Sequence, residues 1–272
     1  MPRVYAGARF IDDPGGGRLD RGSWGGYFGG MYVVIPAYKG GRRLERCLAA
    51  LKAQTAPYQL YVHDNDVNNI GFTAAVNQGL RRAVKTDEEF ALVLNQDVYL
   101  PPDGIEKLTA FMRSHPRCAI AGVKQVDDKD PDLIHHAGCA PDFPVGLHVR
   151  GRKSRGECAV SLPMPWVNGA AMAARMEAVV DFGIMDQNMF LICSDRDWCY
   201  TARQRGWEVW YCAECEVIHE GGVTSGVPIP ELQPVFIRDA TYWRDKWIGT
   251  KLHEKLKSWK VDLNGGGGGG RQ

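Results

Sequence analysis

The sequence predicts an α/β fold, a mostly parallel sheet flanked by helices, from three observations. Short apolar runs typical of buried strands alternate with segments whose apolar side chains recur at helical spacing. The connections between these segments are short, as expected where helices cover both faces of a parallel sheet. Polar residues follow three successive strands, and ligands bind beyond the carboxyl ends of strands in sheets of this kind.

The predicted elements follow one another in regular order in the first half of the chain. Apolar runs predict strands at residues 32–35, 60–62, 90–94 and 119–123. Between them lie three amphipathic segments, whose apolar positions begin at Leu44, Phe72 and Ile105 and continue every third or fourth residue. Strands and helices therefore alternate, which is the pattern of a parallel sheet.

The second half of the chain is less regular. Residues 125–163 are rich in Asp, Pro, Gly and basic residues and predict long loops. A helix is expected from its N-cap at Ser194 to about Arg205, with Gly206 as its stop. Apolar runs at residues 209–211 and 217–218 predict two further strands.

Composition divides the chain into four regions. Residues 1–30 form a glycine-rich arm, 31–226 a single main domain, 227–263 a C-terminal helical extension and 264–272 a flexible glycine tail. Within the extension, residues 240–260 interleave aromatic and basic side chains and predict one basic amphipathic helix. Such a helix either lies on an anionic membrane surface or packs on the main domain.

Composition and charge also limit the classes of function. The 272 residues are 44% hydrophobic and carry a formal net charge of +1, so no overall field draws the protein to nucleic acid. No apolar run is long enough to span a membrane, no signal peptide is recognised, and eight scattered cysteines suggest reduced thiols. We therefore expect a cytoplasmic protein, with contact to the inner face of the cell membrane limited to peripheral association.

The polar residues at the strand ends predict a nucleotide crevice. They belong to three successive strands, whose carboxyl ends meet at one edge of the sheet: Pro36, Tyr38, Asp64, Asn65, Asn95 and Asp97. Neither a dinucleotide fingerprint nor a phosphate-binding P-loop is present. Taken by itself, Asp97 is either a turn carboxylate that caps the next segment or a metal ligand at the rim of the sheet.

One further pattern could bind a metal. Cys212, Cys215 and His219 form a C-x-x-C-x-x-x-H arrangement of the kind that zinc uses. A structural zinc site needs four ligands, and no second pair of cysteines completes this one. Ordinary buried cysteines are therefore favoured.

Blocks of sequence between residues 31 and 226 resemble, in their order, glycosyltransferase family 2 and within it the rhamnosyltransferase-like branch. They are VVIPAYKGGRRLERCLAALKAQT, HDNDVNNIGFTAAVNQGL, LNQDVYLPPDG, WVNGAAMAARMEAV, FLICSDRDWCYTARQRGW and VIHEGGVTSG. The resemblance implies a GT-A, Rossmann-like fold for the main domain and an inverting transfer of a sugar from a nucleotide sugar.

The resemblance also implies roles for individual residues. Asp195 stands where the family has its catalytic base, and Asp97 and His219 stand where it has ligands for Mn²⁺ or Mg²⁺. Nucleotide-sugar binding is implied for Pro36, Tyr38, Asp64, Asn65, Asn69, Gly71, Asn95 and Gln96. Acceptor binding is implied for Trp166, Asn168, Gly169 and Asp197.

The chain departs from the family pattern at three of these places. Ser194 stands where many members have an acidic neighbour of the base, and Thr201 replaces an arginine common in the following helix. Asn95 replaces the leading aspartate of the D-x-D metal motif, which leaves a weaker neutral ligand. The base and the carboxylate of Asp97 are retained.

The leading hypothesis is a metal-dependent, inverting glycosyltransferase. It would move a sugar from a TDP- or UDP-linked donor to a hydroxyl of a glycan or lipid-linked glycan, in the synthesis of a cell-surface polysaccharide or glycolipid. A cation would offset the charge of the leaving diphosphate, and a base would take the proton of the acceptor hydroxyl. Two alternatives stay open, a sugar-nucleotide nucleotidyltransferase and a non-catalytic nucleotide-sugar binding protein.

Overall fold

The computed structural model of the chain describes residues 30–139, 156–221 and 230–259. The glycine tail and all but the last residue of the glycine-rich arm lie outside these residues. The described part forms one mixed sheet with helices on both faces, so the predicted α/β class is confirmed.

The strands of the described residues belong to a single sheet. They are β1 (Met31–Ala37), β2 (Tyr58–Asp64), β3 (Phe90–Leu94), β4 (Val98–Tyr99), β5 (Cys118–Asp127), β6 (Ile134–His136), β7 (Leu162–Pro163), β8 (Ala171–Arg175) and β9 (Glu208–His219). The helices are α1 (Gly41–Lys52), α2 (Phe72–Ala83), α3 (Gly104–Ser114), α4 (Met176–Phe182), α5 (Ser194–Gln204), α6 (Gln233–Trp247) and α7 (Lys251–Lys257). A 3-10 turn at Pro230–Leu232 precedes α6.

The strand order places a crevice at one edge of the sheet. The order is β2-β1-β3-β8-β5-β9-β4, with β6 paired to β5 and β7 to β9. The pairs β1–β2, β1–β3 and β5–β9 are parallel, whereas β8 runs antiparallel between β3 and β5. Because the chain leaves β1 toward β2 on one side and returns to β3 on the other, β1 lies at a topological switch point, where α/β sheets bind ligands.

Two apolar cores cover the two faces of the sheet. In β1 the side chain of Val34 belongs to one core and those of Val33 and Ile35 to the other, as the alternation of a strand requires. The Val34 core also contains apolar residues of α2, α4, α5, α6 and α7, whereas the opposite core contains residues of α1 and α3.

One strand prediction is wrong in detail, and one strand, β8, was not predicted. The runs at 209–211 and 217–218 belong to one strand, β9, and a register shift opposite Val123 and Lys124 accommodates residues 213–215. The small-residue run before Arg175 is the strand β8, in which residues 171–174 are buried. Alanine has low strand propensity, but its small side chain fits between the two packed layers. The predicted long loops at 125–163 also contain the end of β5, the whole of β6 and the whole of β7.

The helix α5 ends as predicted but begins differently. Gly206 follows its last turn with φ of +87°, as a glycine stop requires. Ser194, however, is the first helical residue rather than the N-cap, and Cys193 precedes it in the left-handed region with φ of 65°. The predicted cap is therefore wrong, and the buried hydroxyl of Ser194 makes no hydrogen bond with any described residue.

The prediction of one continuous basic helix over residues 240–260 is wrong. The chain breaks at Ile248, Gly249 has φ of +83°, and the Thr250 hydroxyl caps α7 by accepting the N–H of His253 at 3.2 Å. Trp243 and Trp247 are each 3% exposed and join the core of the main domain. The apolar side of the extension is thus used for packing. None of the described helices is both long and apolar enough to cross a membrane.

Candidate active site

Asp97 and His219 meet because two distant parts of the chain form a short antiparallel pair. Val98 of β4 lies opposite His219, the last residue of β9. The next residue, Glu220, donates its backbone N–H to the carbonyl of Asp97 at 3.0 Å. The pairing therefore brings the carboxylate that follows β3 beside the imidazole that ends β9.

The side chain of Glu220 holds this pairing in place. It accepts hydrogen bonds from the Tyr99 hydroxyl at 2.6 Å and from Arg43 of α1 at 2.8 Å, and Arg46 lies 3.3 Å away. The hydrogen bond from Tyr99, followed by that from Arg43, holds the pKa of Glu220 below its usual range. An ionised Glu220 thus links α1, β4 and the end of β9.

The two predicted metal ligands face each other. The Nε2 atom of His219 lies 3.6 Å from Oδ1 of Asp97, and both side chains are about nine-tenths buried. On its other side the ring donates from Nδ1 to Oε1 of Gln125 at 2.8 Å. The amide of Gln125 is itself oriented, because its Nε2 donates to Oδ1 of Asn168 at 2.7 Å. Nε2 is therefore the ring nitrogen directed at Asp97, where it donates to the carboxylate when the ring is protonated and offers a lone pair when the ring is neutral.

The environment keeps Asp97 ionised. Burial acts to raise its pKa, but the hydrogen bond and charge of His219, together with the more distant Arg43, outweigh burial and lower it. An ionised carboxylate beside an oriented imidazole is a donor set that suits a divalent cation.

The spacing of the pair is close to that of two ligands on one ion. Two ligands that each lie about 2.1 Å from a cation are roughly 3.0 Å apart at an octahedral angle and roughly 3.4 Å apart at a tetrahedral one, and the observed separation of 3.6 Å is slightly wider. No group of three His, Cys, Asp or Glu side chains suited to a metal occurs within the described residues. Among the described residues, Asp97 and His219 are therefore the two side chains here that could bind a cation. The pattern of Cys212 and Cys215 forms no centre with His219, since both thiols are buried in the core.

Asp195 lies in the first turn of α5, against the segment before β8. Its Oδ2 atom accepts the backbone N–H of Gly169 at 2.8 Å, and its Oδ1 atom accepts the N–H of Arg196 at 2.7 Å. A Cβ at Gly169 would lie 3.2 Å from the Cβ of Asp195, so a glycine lets the two segments approach. The residue is part-buried, and each carboxylate oxygen keeps a further lone pair.

Burial raises the pKa of Asp195, although the hydrogen bond from Gly169 and the charge of Arg196 act in the opposite direction. A carboxylate with a raised pKa is a better proton acceptor than a solvated one. This is the property that a general base requires.

A chain of contacts links the metal pair to the base. It runs from Asp97 to His219, through Gln125 to Asn168, and passes along the backbone to Gly169, which donates to Asp195. Five of the residues predicted from the sequence therefore belong to one connected group: Asp97, His219, Asn168, Gly169 and Asp195. Gln125 completes it.

The loop after β1 is fixed by the residue before Asp97. Gln96 accepts the backbone N–H of Tyr38 at 2.9 Å and donates to the carbonyl of Tyr38 at 2.7 Å. Asn95 donates its backbone N–H to the carbonyl of Ala170 at 2.8 Å. These contacts align the ends of β1, β3 and β8, and Tyr38 keeps 38% of its surface exposed at the crevice. Pro36, the sixth residue of β1, lies beside His63 of β2.

The predicted nucleotide loop after β2 is held by its own asparagines. Asn65 accepts the N–H of Ile70 at 3.1 Å, and Asn69 accepts that of Gly71 at 2.9 Å. Asp64 is exposed and accepts the N–H of Asp66 at 2.8 Å. Gly71 has φ of +84°, and a Cβ there would lie 2.6 Å from the carbonyl oxygen of Phe190. The loop therefore packs directly on the segment that leads to Asp195.

Two predicted acceptor residues do not join this group. Trp166 is 3% exposed, and its ring stacks on the guanidinium of Arg196 at 4.3 Å. Asp197 is 1% exposed, and its oxygens bind Trp247 and Lys246 of α6. Both side chains hold α5 against its neighbours, and their role toward an acceptor stays a prediction.

The sequence interpretation missed Gln125, Glu220 and Asp239. Gln125 interrupts the apolar run of β5 and is fully buried, and a buried amide inside a strand is the signal that could have marked it. Glu220 follows His219 directly within the quoted block VIHEGGVTSG. Asp239 lies in a helix of mixed polarity and carries no local signal.

Comparisons with known proteins agree with this geometry. Residues 63–231 match the family described as "Glycosyltransferase like family 2". The dTDP-rhamnosyl transferase RfbF of Shigella flexneri is 24% identical over 171 residues, which are 61% of this chain and 56% of that protein. The chain thus spans little more than half the length of this relative.

Two solved structures share the fold at low identity. The structure of GalNAc-T7 with UDP, GalNAc and Mn²⁺ has a TM-score of 0.57 at 13% identity, over 79% of this chain and 47% of that one. The mannosyltransferase PcManGT from Pyrobaculum calidifontis, in complex with GDP-Man and Mn²⁺, has a TM-score of 0.56 at 11% identity, over 85% and 68% of the two chains. The likeness confirms the predicted GT-A fold.

Proposed function

This chain belongs to glycosyltransferase-like family 2, and from that premise we propose that it is a metal-dependent, inverting glycosyltransferase. The donor is a nucleoside diphosphate sugar, with thymidine diphosphate rhamnose first and uridine diphosphate sugars second. The acceptor is a hydroxyl of a glycan or lipid-linked glycan, in the synthesis of a cell-surface polysaccharide or glycolipid. The rhamnosyl donor is favoured by the name of the relative from Shigella flexneri.

One observation carries the proposal. The Asp97–His219 pair and the Asp195 carboxylate are linked by hydrogen bonds through Gln125 and Asn168, by the backbone from Asn168 to Gly169, and by the hydrogen bond from Gly169 to Asp195. A displacement at a sugar carbon needs a group that supports the leaving diphosphate and a base that serves the incoming hydroxyl. Positioning both on one rigid scaffold is worth much of the barrier to such a reaction.

The proposed chemistry of Asp195 is the removal of a proton. As the acceptor oxygen attacks the sugar carbon, the proton of the acceptor hydroxyl passes to a free lone pair of the Asp195 carboxylate. The Gly169 and Arg196 N–H groups keep the carboxylate in one orientation while this happens. Attack on the face opposite the leaving group inverts the configuration at that carbon.

Asp97 and His219 are the proposed ligands of Mn²⁺ or Mg²⁺. The spacing of their donor atoms and the orientation of the His219 ring by Gln125 support this assignment. When bound, the cation would offset the negative charge that develops on the diphosphate as the sugar leaves. Glu220 keeps the two ligands together by its contacts to α1 and β4.

The donor is assigned to the loops after β1, β2 and β3. Tyr38 and Asp64 expose their side chains there, and Gln96, Asn65 and Asn69 hold the loops in shape. The acceptor is assigned to the segment around Asn168 and Gly169, where the Gly169 N–H binds Asp195 of α5.

Peripheral contact with the inner face of the membrane is proposed through α7, where Lys251 and Lys255 are exposed. The variant Lys251→Glu/Lys255→Glu should lose affinity for vesicles with anionic lipid, and salt should weaken the wild-type interaction. Because both residues lie outside the core, the double variant should fold like the wild type, so any loss of vesicle binding reports on the surface charge. Equal vesicle binding by both proteins would remove the membrane role.

The proposal is tested by nucleotide-sugar binding and turnover. Purified protein is screened for thermal stabilisation by nucleotide sugars with and without Mn²⁺, and the same donors are then offered to hydroxyl acceptors. A donor at about 100 times its Kd stabilises the folded state by roughly 2.7 kcal/mol, a readily measured shift. We expect stabilisation by the donor to need Mn²⁺ and to be lost in Asp97→Ala, whose fold should survive because the residue lies at the rim.

The products separate the three candidate functions. Release of a nucleoside diphosphate with a product of opposite anomeric configuration supports an inverting transferase. Conversion of the donor with pyrophosphate to a nucleoside triphosphate and a sugar phosphate would indicate the nucleotidyltransferase instead. Binding without any turnover would indicate a nucleotide-sugar binding protein.

A further inference from the structure

The helix α6 contacts the chain on both sides of Asp195. On one side its Asp239 binds the segment 190–192, which leads into α5. On the other side its Lys246 and Trp247 bind Asp197, in the first turn of α5. The base therefore sits between two anchor points supplied by one C-terminal helix.

Of the two anchors, Asp239 is the stronger candidate for a role in catalysis. It is fully buried, and its contacts to the segment 190–192 are all with backbone groups. Its Oδ2 atom accepts three consecutive backbone N–H groups, those of Phe190 at 2.9 Å, Leu191 at 2.7 Å and Ile192 at 3.1 Å. Its Oδ1 atom accepts from Arg238 at 2.8 Å. Successive N–H groups that converge on one oxygen form an anion-binding nest, here occupied by a carboxylate of the protein itself.

The nest fixes a turn that Asp195 needs. Directly after Ile192 comes Cys193, which adopts φ of 65°, and α5 begins at the next residue. A left-handed conformation is unfavourable for a side chain such as that of cysteine, so it persists only where the surroundings impose it. The three hydrogen bonds to Asp239 supply such a constraint immediately before the turn.

The other end of the segment has an independent anchor. The carbonyl of Phe190 accepts the N–H of Thr73 in α2 at 3.3 Å, and Phe190 packs against Gly71 of the nucleotide loop. Loss of the Asp239 carboxylate therefore leaves the Phe190 end attached to the donor loop. The end that becomes free is the one beside Cys193 and Asp195.

We propose that Asp239 is a positioning residue for catalysis, which holds the 190–192 backbone so that Asp195 stands at the correct place for the acceptor hydroxyl. The inference rests on the proposed function, because it needs Asp195 to be the base. Asp239 would contact neither donor nor acceptor and would act through the start of α5.

The test compares Asp239→Ala and Asp239→Asn with the matched control Asp245→Asn. Asp245 lies on the same helix, is exposed, and pairs only with Arg244 among the contacts described here. A displacement of about 1 Å in a catalytic group can cost on the order of 10²-fold in rate, so we expect a loss of that size in kcat for Asp239→Ala. Asp239→Asn keeps an oxygen in the nest without its charge and should lose less. Asp245→Asn should match the wild type.

Two further readouts separate positioning from damage to the fold. Calorimetry with the donor and Mn²⁺ counts functional sites, and the number per chain and the donor Kd should stay at the wild-type values. The double variant Asp195→Asn/Asp239→Ala should turn over no more slowly than Asp195→Asn alone, since a residue that acts through the base has nothing left to position. If Asp239→Ala does not fold, the same comparison is made with Asp239→Asn.

Three results would overturn the inference. Turnover of both Asp239 variants within about threefold of the wild type would show that the nest is not needed. Multiplication of the two losses in the double variant would show that Asp239 acts independently of Asp195. Loss of donor sites would show that the segment serves the donor loop. Failure of the proposed function looks different, because the wild-type protein itself would then transfer no sugar.

Discussion

The buried contact between Asp197 and Trp247 offers a measurement of how strongly α6 is held to α5. The indole Nε1 of Trp247 donates to Oδ1 of Asp197 at 2.6 Å, and both residues are almost fully buried. Lys246 binds the same carboxylate at 2.9 Å but also binds Asp186 at 2.8 Å and is partly exposed. The perturbation is the set of three variants Asp197→Ala, Trp247→Phe and the double variant.

The contacts of Asp197 and Trp247 give the expected loss in the free energy of unfolding for each single variant. Asp197→Ala leaves the indole N–H buried without its acceptor, which costs about 1–3 kcal/mol, whereas Lys246 keeps Asp186 and adds little. Burial raises the pKa of Asp197 in spite of Lys246, which means that the buried carboxylate carries a desolvation penalty. Asp197→Ala removes that penalty, so the total loss should stay within about 1–3 kcal/mol. Trp247→Phe removes one hydrogen bond to a charged group, about 1.5–3 kcal/mol, together with some packing.

The double variant shows whether Asp197 and Trp247 interact. With donor and acceptor both gone, no polar group is left unsatisfied, so its loss should be smaller than the sum of the single losses by about 0.5–3 kcal/mol. Urea unfolding followed by fluorescence gives the free energies, and a change of 1 kcal/mol corresponds to a shift in Tm of roughly 2–4 °C for a domain of this size. Losses that add to within about 0.5 kcal/mol would refute the reasoning, because they would mean that the two side chains do not interact in solution.

Three further predictions concern the site. Asp195→Asn keeps the shape of the base and removes its basicity, so kcat should fall about 10²–10⁴-fold while calorimetry finds donor affinity unchanged. Because burial raises the pKa of Asp195 and only its ionised form accepts a proton, kcat should fall tenfold per pH unit below that pKa. The acidic limb should therefore lie above about 3.9, the ordinary value for aspartate, and the variant should lack it. Gly71→Ala should destabilise the fold more than Gly206→Ala in urea, since both glycines have positive φ but only Gly71 would clash with Phe190. Backbone strain, which both variants share, accounts for about 1–2 kcal/mol. Equal losses of stability in the two variants would show that the close approach of Phe190 to Gly71 does not occur in solution.

The strand β3, whose two ends the sequence predicted correctly, is buried along its whole length. Residues 90–94 are all fully buried, and their apolar run matches β3 at both ends. Where the pattern breaks, the prediction breaks with it. The exposed Glu214 within β9 made one strand look like two, although the pairing with β5 only shifts register there. The alanines of β8 carry no strand signal, because their place between two cores depends on residues far away in the chain.

The site likewise contains residues that the sequence could predict and residues that it could not. Asp97 and Asp195 could be proposed because each stands at the end of a strand or the start of a helix, within a recognisable block of sequence. Gln125 could not, since its contact with His219 depends on the parallel pairing of β5 with β9. Asp239 acts on a backbone segment whose N–H groups look identical in any sequence. Interactions with backbone leave no residue pattern, so only the structure reveals them.

The packing of α6 into the main core has a consequence for where this domain ends. The match to the family stops at residue 231, two residues before α6 begins at Gln233. A fragment cut at that border would lose Trp243, Trp247 and Leu256 from the core and would leave the apolar surfaces they cover in contact with water. Uncovered apolar patches of this kind lead to association between copies. We therefore propose that the folding unit of this protein extends through α7 and includes the helices beyond the family border.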